Sequence, residues 1–137
     1  SSLFGAGGGR LPEHSSVEVL GRVPDAELAG LYRHARGFVF PSLYEGFGIP
    51  PLEAQALGTP VISSFAASLP EVLGDSALYF DPRDRKSLVS VLTIFDSDLD
   101  LRRTLAERGQ ANVCRFSWTD SAQRVDALLE QLESRSR

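Results

Sequence analysis

The chain predicts a doubly wound α/β fold with a parallel sheet, and three observations carry that expectation. Short apolar runs alternate with stretches of helical periodicity. Glycine and proline stand at the turns, where one kind of segment gives way to the other. The C-terminal third holds helical patterns only, so the strands belong to the part before it. Buried strands joined through helices pair in parallel by right-handed crossovers.

The elements follow in order. Val17-Glu18-Val19-Leu20 reads as a short strand ending at Gly21. Asp25 then suits a helix N-cap, with Leu28, Leu31, Tyr32 and Ala35 at helical spacing behind it. Phe38-Val39-Phe40, closed by Pro41, is a buried strand. Pro50 and Pro51 fit a first helical turn, where a missing N–H costs little, and Gly58 fits the stop. Val61-Ile62 is another strand. Ser68 and Glu71 have capping-box spacing before a very short helix that ends near Gly74. Ala77-Leu78-Tyr79-Phe80 is a strand terminated by Asp81-Pro82. Arg83, Asp84, Arg85 and Lys86 are the solvated start of a helix whose apolar face is Leu88, Val91, Leu92 and Phe95. Leu101 and Leu105 mark a second helix, interrupted by Gly109. Ser117 and Asp120 open a third over 117–137, where Trp118, Ala122, Val125, Leu129 and Leu132 form an apolar stripe. That stripe covers either this sheet or a neighbouring domain, and Ser134 to Arg137 read as frayed.

Composition narrows the function. The 137 residues make a single domain, 1–137, with 42% hydrophobic and 23% charged residues, as in ordinary globular chains. A formal net charge of -4 with no basic stripe gives no footprint for nucleic acid. No apolar run approaches the roughly 20 residues that span a bilayer. Cys114 is the single cysteine, unable to form an internal disulfide, and reads as a small buried filler. His14 and His34 are isolated, so no metal site is expected. Segment 1–16 reads as a flexible start: in Gly5-Ala6-Gly7-Gly8-Gly9, Arg10 follows where a dinucleotide loop needs its last glycine. With no methionine present, the chain reads as part of a longer one.

The chemistry concentrates in Glu45-Gly46-Phe47-Gly48-Ile49-Pro50-Pro51-Leu52-Glu53. Gly46 and Gly48 permit positive φ and close backbone approach, while the following helix aims unpaired N–H groups and its positive end at the same place. A diphosphate is the natural occupant, although a tight strand-to-helix turn needs glycine too. On a helical wheel Glu53 falls inside the apolar arc, with Gln55 and Pro51 facing away. A carboxylate there calls for a polar ligand or a buried ion pair. Paired glutamates also suit glycoside hydrolysis, but these two lie either side of a phosphate-type turn rather than flanking one bond.

Read whole, Phe40-Pro41-Ser42-Leu43-Tyr44-Glu45-Gly46-Phe47-Gly48-Ile49-Pro50-Pro51-Leu52-Glu53-Ala54 resembles the donor-site motif of family-four glycosyltransferases, with its two glutamates separated by seven residues. Gly58-Thr59-Pro60-Val61-Ile62, Leu69-Pro70-Glu71-Val72 and Gly21-Arg22-Val23 agree as well, so the resemblance runs from Val17 to Trp118. It implies the Rossmann-like C-terminal half of a GT-B fold, truncated at its N-terminus. Glu45 would be the catalytic residue, contacting the transferred sugar. The backbone at Phe47 would hold the same sugar, the amides of Gly48 and Ile49 would meet the donor phosphates, and Gly46 would belong to the same donor site. Glu53 would take the ribose hydroxyls, and the backbone at Arg22 and Val23 the nucleobase. The implied partners are a nucleotide-diphosphate sugar carrying a hexose such as mannose or glucose, an acceptor-binding N-terminal domain, and a saccharide or membrane-associated lipid-linked acceptor. No metal or other cofactor is implied. A cytoplasmic setting at the inner membrane face fits a bacterial polysaccharide or glycolipid pathway. The upstream basic pair that grips the diphosphate in such enzymes is not in this sequence, so the chain alone is expected to be inactive. A non-catalytic α/β binding domain and a sugar-nucleotide epimerase are the alternatives.

Overall fold

The computed structural model describes residues 16–135, and the glycine-rich start, His14 and the last two positions lie outside them. Three parallel strands form the sheet: β1 (Phe38–Phe40), β2 (Val61–Ser64) and β3 (Ala77–Phe80), in that spatial order. Phe38 pairs with Val61 and Val61 with Ala77, so the strands run in step and share one carboxyl edge. Around them lie α1 (Asp25–His34), α2 (Ile49–Ala56), α3 (Leu69–Leu73), α4 (Arg85–Ser97), α5 (Leu99–Val113) and α6 (Trp118–Arg135).

The strand period of two divides the core into two layers. Phe38, Phe40, Val61, Ala77 and Tyr79 face one side, where they meet Tyr32, Ala54, Leu69, Val72 and Leu73 from α1, α2 and α3. Val39, Ile62, Leu78 and Phe80 face the other, against Leu88, Val91 and Phe95 of α4 and Leu101 and Leu105 of α5. Helices thus cover both faces, as a doubly wound sheet requires.

A buried polar network joins α2 to α5. Gln55 Nε2 donates to the Ser76 hydroxyl at 2.7 Å and to its carbonyl at 3.1 Å. Asn112 Nδ2 donates to Gln55 Oε1 at 3.0 Å and to the Val72 carbonyl at 3.1 Å, and Arg115 donates to Asn112 Oδ1 at 2.8 Å. Every member is satisfied, so the network specifies helix placement rather than weakening the core.

Several expectations are corrected here. Val17–Leu20 joins no ladder among the described residues, and Val17, Val19 and Leu20 are exposed; a strand needs a partner, which the sheet does not offer it. Asp25 is the first residue of α1, with Pro24 at the cap. Ser68 sits before α3 without capping it, its hydroxyl being engaged elsewhere. Gly109 does not interrupt α5; it is buried where the helix crosses Gln55. Cys114 is exposed rather than buried, because it follows the last turn of α5 on its open side. The Ser117 hydroxyl does accept from the Asp120 amide, at 3.2 Å, but the α6 stripe covers nothing of this sheet. Trp118, Ala122, Val125, Leu129 and Leu132 are all exposed, and α6 continues past Ser134 to Arg135.

Candidate functional site

Parallel sheets present ligands with the carboxyl ends of their strands, and the Glu45–Glu53 segment lies there, between β1 and α2. Gly48 is the N-cap of α2 with φ 91° and ψ 55°, in the left-handed region. It is buried with no room for a side chain, since a Cβ there would stand 2.6 Å from Leu69 Cδ2. Glycine is therefore required twice over at this position. No side chain caps α2, and Pro50 and Pro51 carry no N–H, so the free amides at the helix mouth are few. Gly46 differs from its expected part: its φ is not positive and a Cβ there would meet nothing within 4 Å. It offers open approach rather than a special conformation.

Glu45 is half-buried and held by two hydrogen bonds. The Ser42 hydroxyl donates to its Oε1 at 2.8 Å, and the Ser68 hydroxyl donates to its carbonyl at 3.0 Å. Ser64, fully buried at the end of β2, donates to the Ser42 carbonyl and so ties the loop to the sheet. Next to Ser68, Ala67 is held at φ 49°, a strained conformation for a residue with a Cβ. Sequence reasoning does not single out Ser42, Ser64 or Ser68 as site residues, although Ser42 and Glu45 have the three-residue spacing of a local side-chain pair.

Glu53 corrects the wheel. It is exposed, whereas Gln55 and Pro51 are buried, because Gln55 is drawn inward by Ser76 and Asn112. Its carboxylate stands instead at the junction of two grooves. One, of about 450 Å³, is lined by Phe47, Ile49, Glu53, Arg115, Phe116 and Trp118. Phe47 meets Phe116 edge-on at 5.4 Å, with the Arg115 guanidinium 5.3 Å from the centre of the Phe116 ring. The second groove, of about 350 Å³, opens between α1 and α2 along Asp25, Leu28, Tyr32 and Glu53. Burial, and then the nearby Glu53 carboxylate, push the Tyr32 phenol above its ordinary pKa.

Phe47, Ile49 and Glu53 are thus brought to one groove, with Gly46, Gly48 and Glu45 in the turn that borders it. Arg22 and Val23 lie in the loop before α1, Arg22 exposed and Val23 partly buried, and line neither groove. Among the described residues no group of three acidic, histidine or cysteine side chains could hold a metal ion, and no helix is long and apolar enough to cross a membrane.

The parallel α/β sheet carries at its carboxyl edge a glycine-opened helix mouth with two flanking carboxylates, and comparison with known proteins gives the family. Residues 13–112 match the model of glycosyl transferases group 1, and the chain belongs to that family. It is 45% identical over 102 residues to O-antigen chain mannosyltransferase B of Escherichia coli, covering 74% of this chain and 27% of that protein. It is 40% identical over 116 residues to the MMP alpha-(1->4)-mannosyltransferase of Mycolicibacterium hassiacum, covering 81% and 28%. Among solved structures, sucrose-phosphate synthase from Thermosynechococcus elongatus superposes with a TM-score of 0.74 at 32% identity, over 84% of this chain and 30% of that one. The chain therefore spans little more than a quarter of the length of these three proteins, and its architecture is that of a Rossmann-like half of a GT-B fold.

Proposed function

We propose that this chain is the donor-binding part of a retaining glycosyltransferase, which moves a hexose from a nucleotide-diphosphate sugar to a saccharide or lipid-linked acceptor. The observation that supports it best is the uncapped mouth of α2 at Gly48, with Glu45 held beside it and Glu53 at the rim of the adjoining grooves. Backbone N–H groups at a helix start are ready-made donors for phosphate oxygens, and the helix dipole favours the negative charge. The mannosyltransferase names of the relatives favour mannose as the sugar.

The residues then divide the work. The amides of Gly48 and Ile49 hold the diphosphate. Phe47 and Gly46 border the sugar, whose hydroxyls Glu45 takes while its carboxylate opposes the positive charge that develops at the anomeric carbon. The acceptor oxygen attacks that carbon on the face the diphosphate leaves, and its proton passes to a leaving phosphate oxygen. Ser42 keeps Glu45 in one rotamer throughout. Glu53 accepts from the ribose hydroxyls; its exposure means that it reaches the ligand without first losing an internal partner. No metal or other cofactor enters this scheme. The acceptor is bound by a second domain, and the whole works in the cytoplasm at the inner face of a membrane.

The test uses the protein that carries this chain at its natural length. Glu53→Ala should weaken nucleotide-sugar binding by about 1–3 kcal/mol in calorimetry, as for a lost charge-assisted hydrogen bond. Glu45→Gln should abolish hexosyl transfer while leaving nucleoside diphosphate affinity intact. Donor affinity unchanged in Glu53→Ala, or transfer surviving Glu45→Gln, would count against the assignment.

A further inference from the structure

We infer that Ser68, at the corner between β2 and α3, is a positioning residue for Glu45: its hydroxyl fixes the backbone from which that carboxylate hangs. The inference rests on the sugar-contacting role proposed above for Glu45 and adds the residue that keeps it in place.

Three features single out this corner. Ser68 stands at the cap position of α3, where a serine hydroxyl ordinarily accepts from an amide of the first helical turn. Here it makes no such bond and donates instead to the Glu45 carbonyl at 3.0 Å, across 23 residues of chain. Ala67, just before it, holds a φ of 49°. Ala67 is exposed, so packing of its own side chain does not impose that angle. A cap forgone and an alanine in the left-handed region are both unfavourable, and both follow from aiming the Ser68 hydroxyl at the loop. The next residue completes the seat. Leu69 is fully buried, and its Cδ2 lies only 2.6 Å from where a Cβ on Gly48 would stand. The corner therefore meets the turn at both ends, Ser68 at Glu45 and Leu69 at Gly48.

A carboxylate is only as well placed as its backbone. Ser42 holds Glu45 Oε1 at 2.8 Å, but Ser42 belongs to the same loop. Gly46, the next residue, stands in open space, so packing does not restrain the peptide that joins it to Glu45. Ser68 reaches that peptide from outside the loop. Its own backbone is anchored, since its carbonyl accepts from the Val72 amide at 3.0 Å and α3 packs into the core through Leu69, Val72 and Leu73. A group that opposes charge developing in a transition state acts through being held ready, and a displacement of about 1 Å costs on the order of a hundredfold in rate. Ser68 touches neither sugar nor phosphate in this arrangement; it acts through Glu45.

Steady-state kinetics of the natural-length protein with GDP-mannose, read as release of GDP with water as the acceptor, test this. Ser68→Ala should lower kcat about tenfold to a hundredfold and leave KM within about twofold, because the lost restraint acts on a group needed in the transition state. Ser68→Thr, which keeps the hydroxyl, should recover most of the rate. Calorimetry with GDP, whose phosphates meet Gly48 and Ile49 rather than Glu45, should give one affinity for all three proteins. A kcat unchanged in Ser68→Ala, or equally low in Ser68→Thr, would overturn the inference. So would GDP affinity falling in step with kcat, which would make Ser68 a support of the fold alone. Glu45→Gln separates this inference from the function beneath it. If Glu45→Gln stops GDP release and Ser68→Ala does not, the donor-binding function stands without the inference. If GDP release survives Glu45→Gln, or the unaltered protein releases none, both fall.

Discussion

At Gly48 two separate constraints meet: a φ of 91°, and a gap of only 2.6 Å between the place a Cβ would take and Leu69 Cδ2. Gly48→Ala should therefore destabilise the fold by at least about 1–3 kcal/mol, measured by denaturant unfolding. Gly46→Ala is the control: with ordinary φ and open space around it, the change should fall within about 0.5 kcal/mol. Equal effects of the two substitutions would contradict this account of the turn. The importance of Gly48 is legible in the sequence from its place before Pro50-Pro51, whereas its difference from Gly46 is not. That difference depends on Leu69, which the chain brings alongside only when α3 packs down. Glu53 and Gln55 show the same limit. Pro50, Leu52, Ala54, Ala56 and Leu57 spread apolar surface nearly all round so short a helix, so a wheel cannot choose its buried side. Ser76 and Asn112 choose it, by giving Gln55 partners that Glu53 lacks.

The elements show where local signals suffice. Phe38–Phe40, Val61-Ile62 and Ala77–Phe80 are readable because each is an apolar run punctuated by proline, glycine or aspartate, whereas the extension of β2 through Ser63 and Ser64 is not, since those two are polar. Val17–Leu20 has a strand's composition, but a ladder is a property of two segments and no second one lies beside it among the described residues. Gly109 is opaque in the same way, since nothing in its neighbours along α5 reveals the helix that crosses it. A Cβ at Gly109 would stand 2.9 Å from Gln55 Cγ and 3.2 Å from its Cβ, and Gln55 is pinned by hydrogen bonds to Ser76 and Asn112. In a free helix Gly→Ala stabilises by about 1 kcal/mol. Here Gly109→Ala should destabilise, by about 1–3 kcal/mol, as overpacking does. A rise in melting temperature would show that α2 and α5 are not in close contact.

Across the molecule, the sheet carries stability and its carboxyl edge carries the site. The loops at that edge are not independent: Ser64 holds Ser42, Ser42 holds Glu45, and Ser68 holds the Glu45 carbonyl, so the ends of β1 and β2 and the start of α3 form one frame. Sequence spacing reveals the glutamates but not this frame, because Ser68 has the look of a helix cap and is used for something else. The α6 stripe is legible as amphipathic, yet what it packs against is not, and all its apolar side chains stand exposed.

The central claim is that the mouth of α2 binds the diphosphate of a nucleotide sugar. An amide-detected NMR titration of this chain, uniformly labelled with nitrogen-15, against millimolar GDP-mannose tests it most directly, since the method registers weak binding residue by residue. The account predicts that the Gly46, Gly48, Ile49 and Glu53 amides shift together and saturably, with those of α4 unmoved. Shifts scattered over the surface, or a spectrum in which Gly48 and Ile49 stay in place while the nucleotide binds elsewhere, would contradict it.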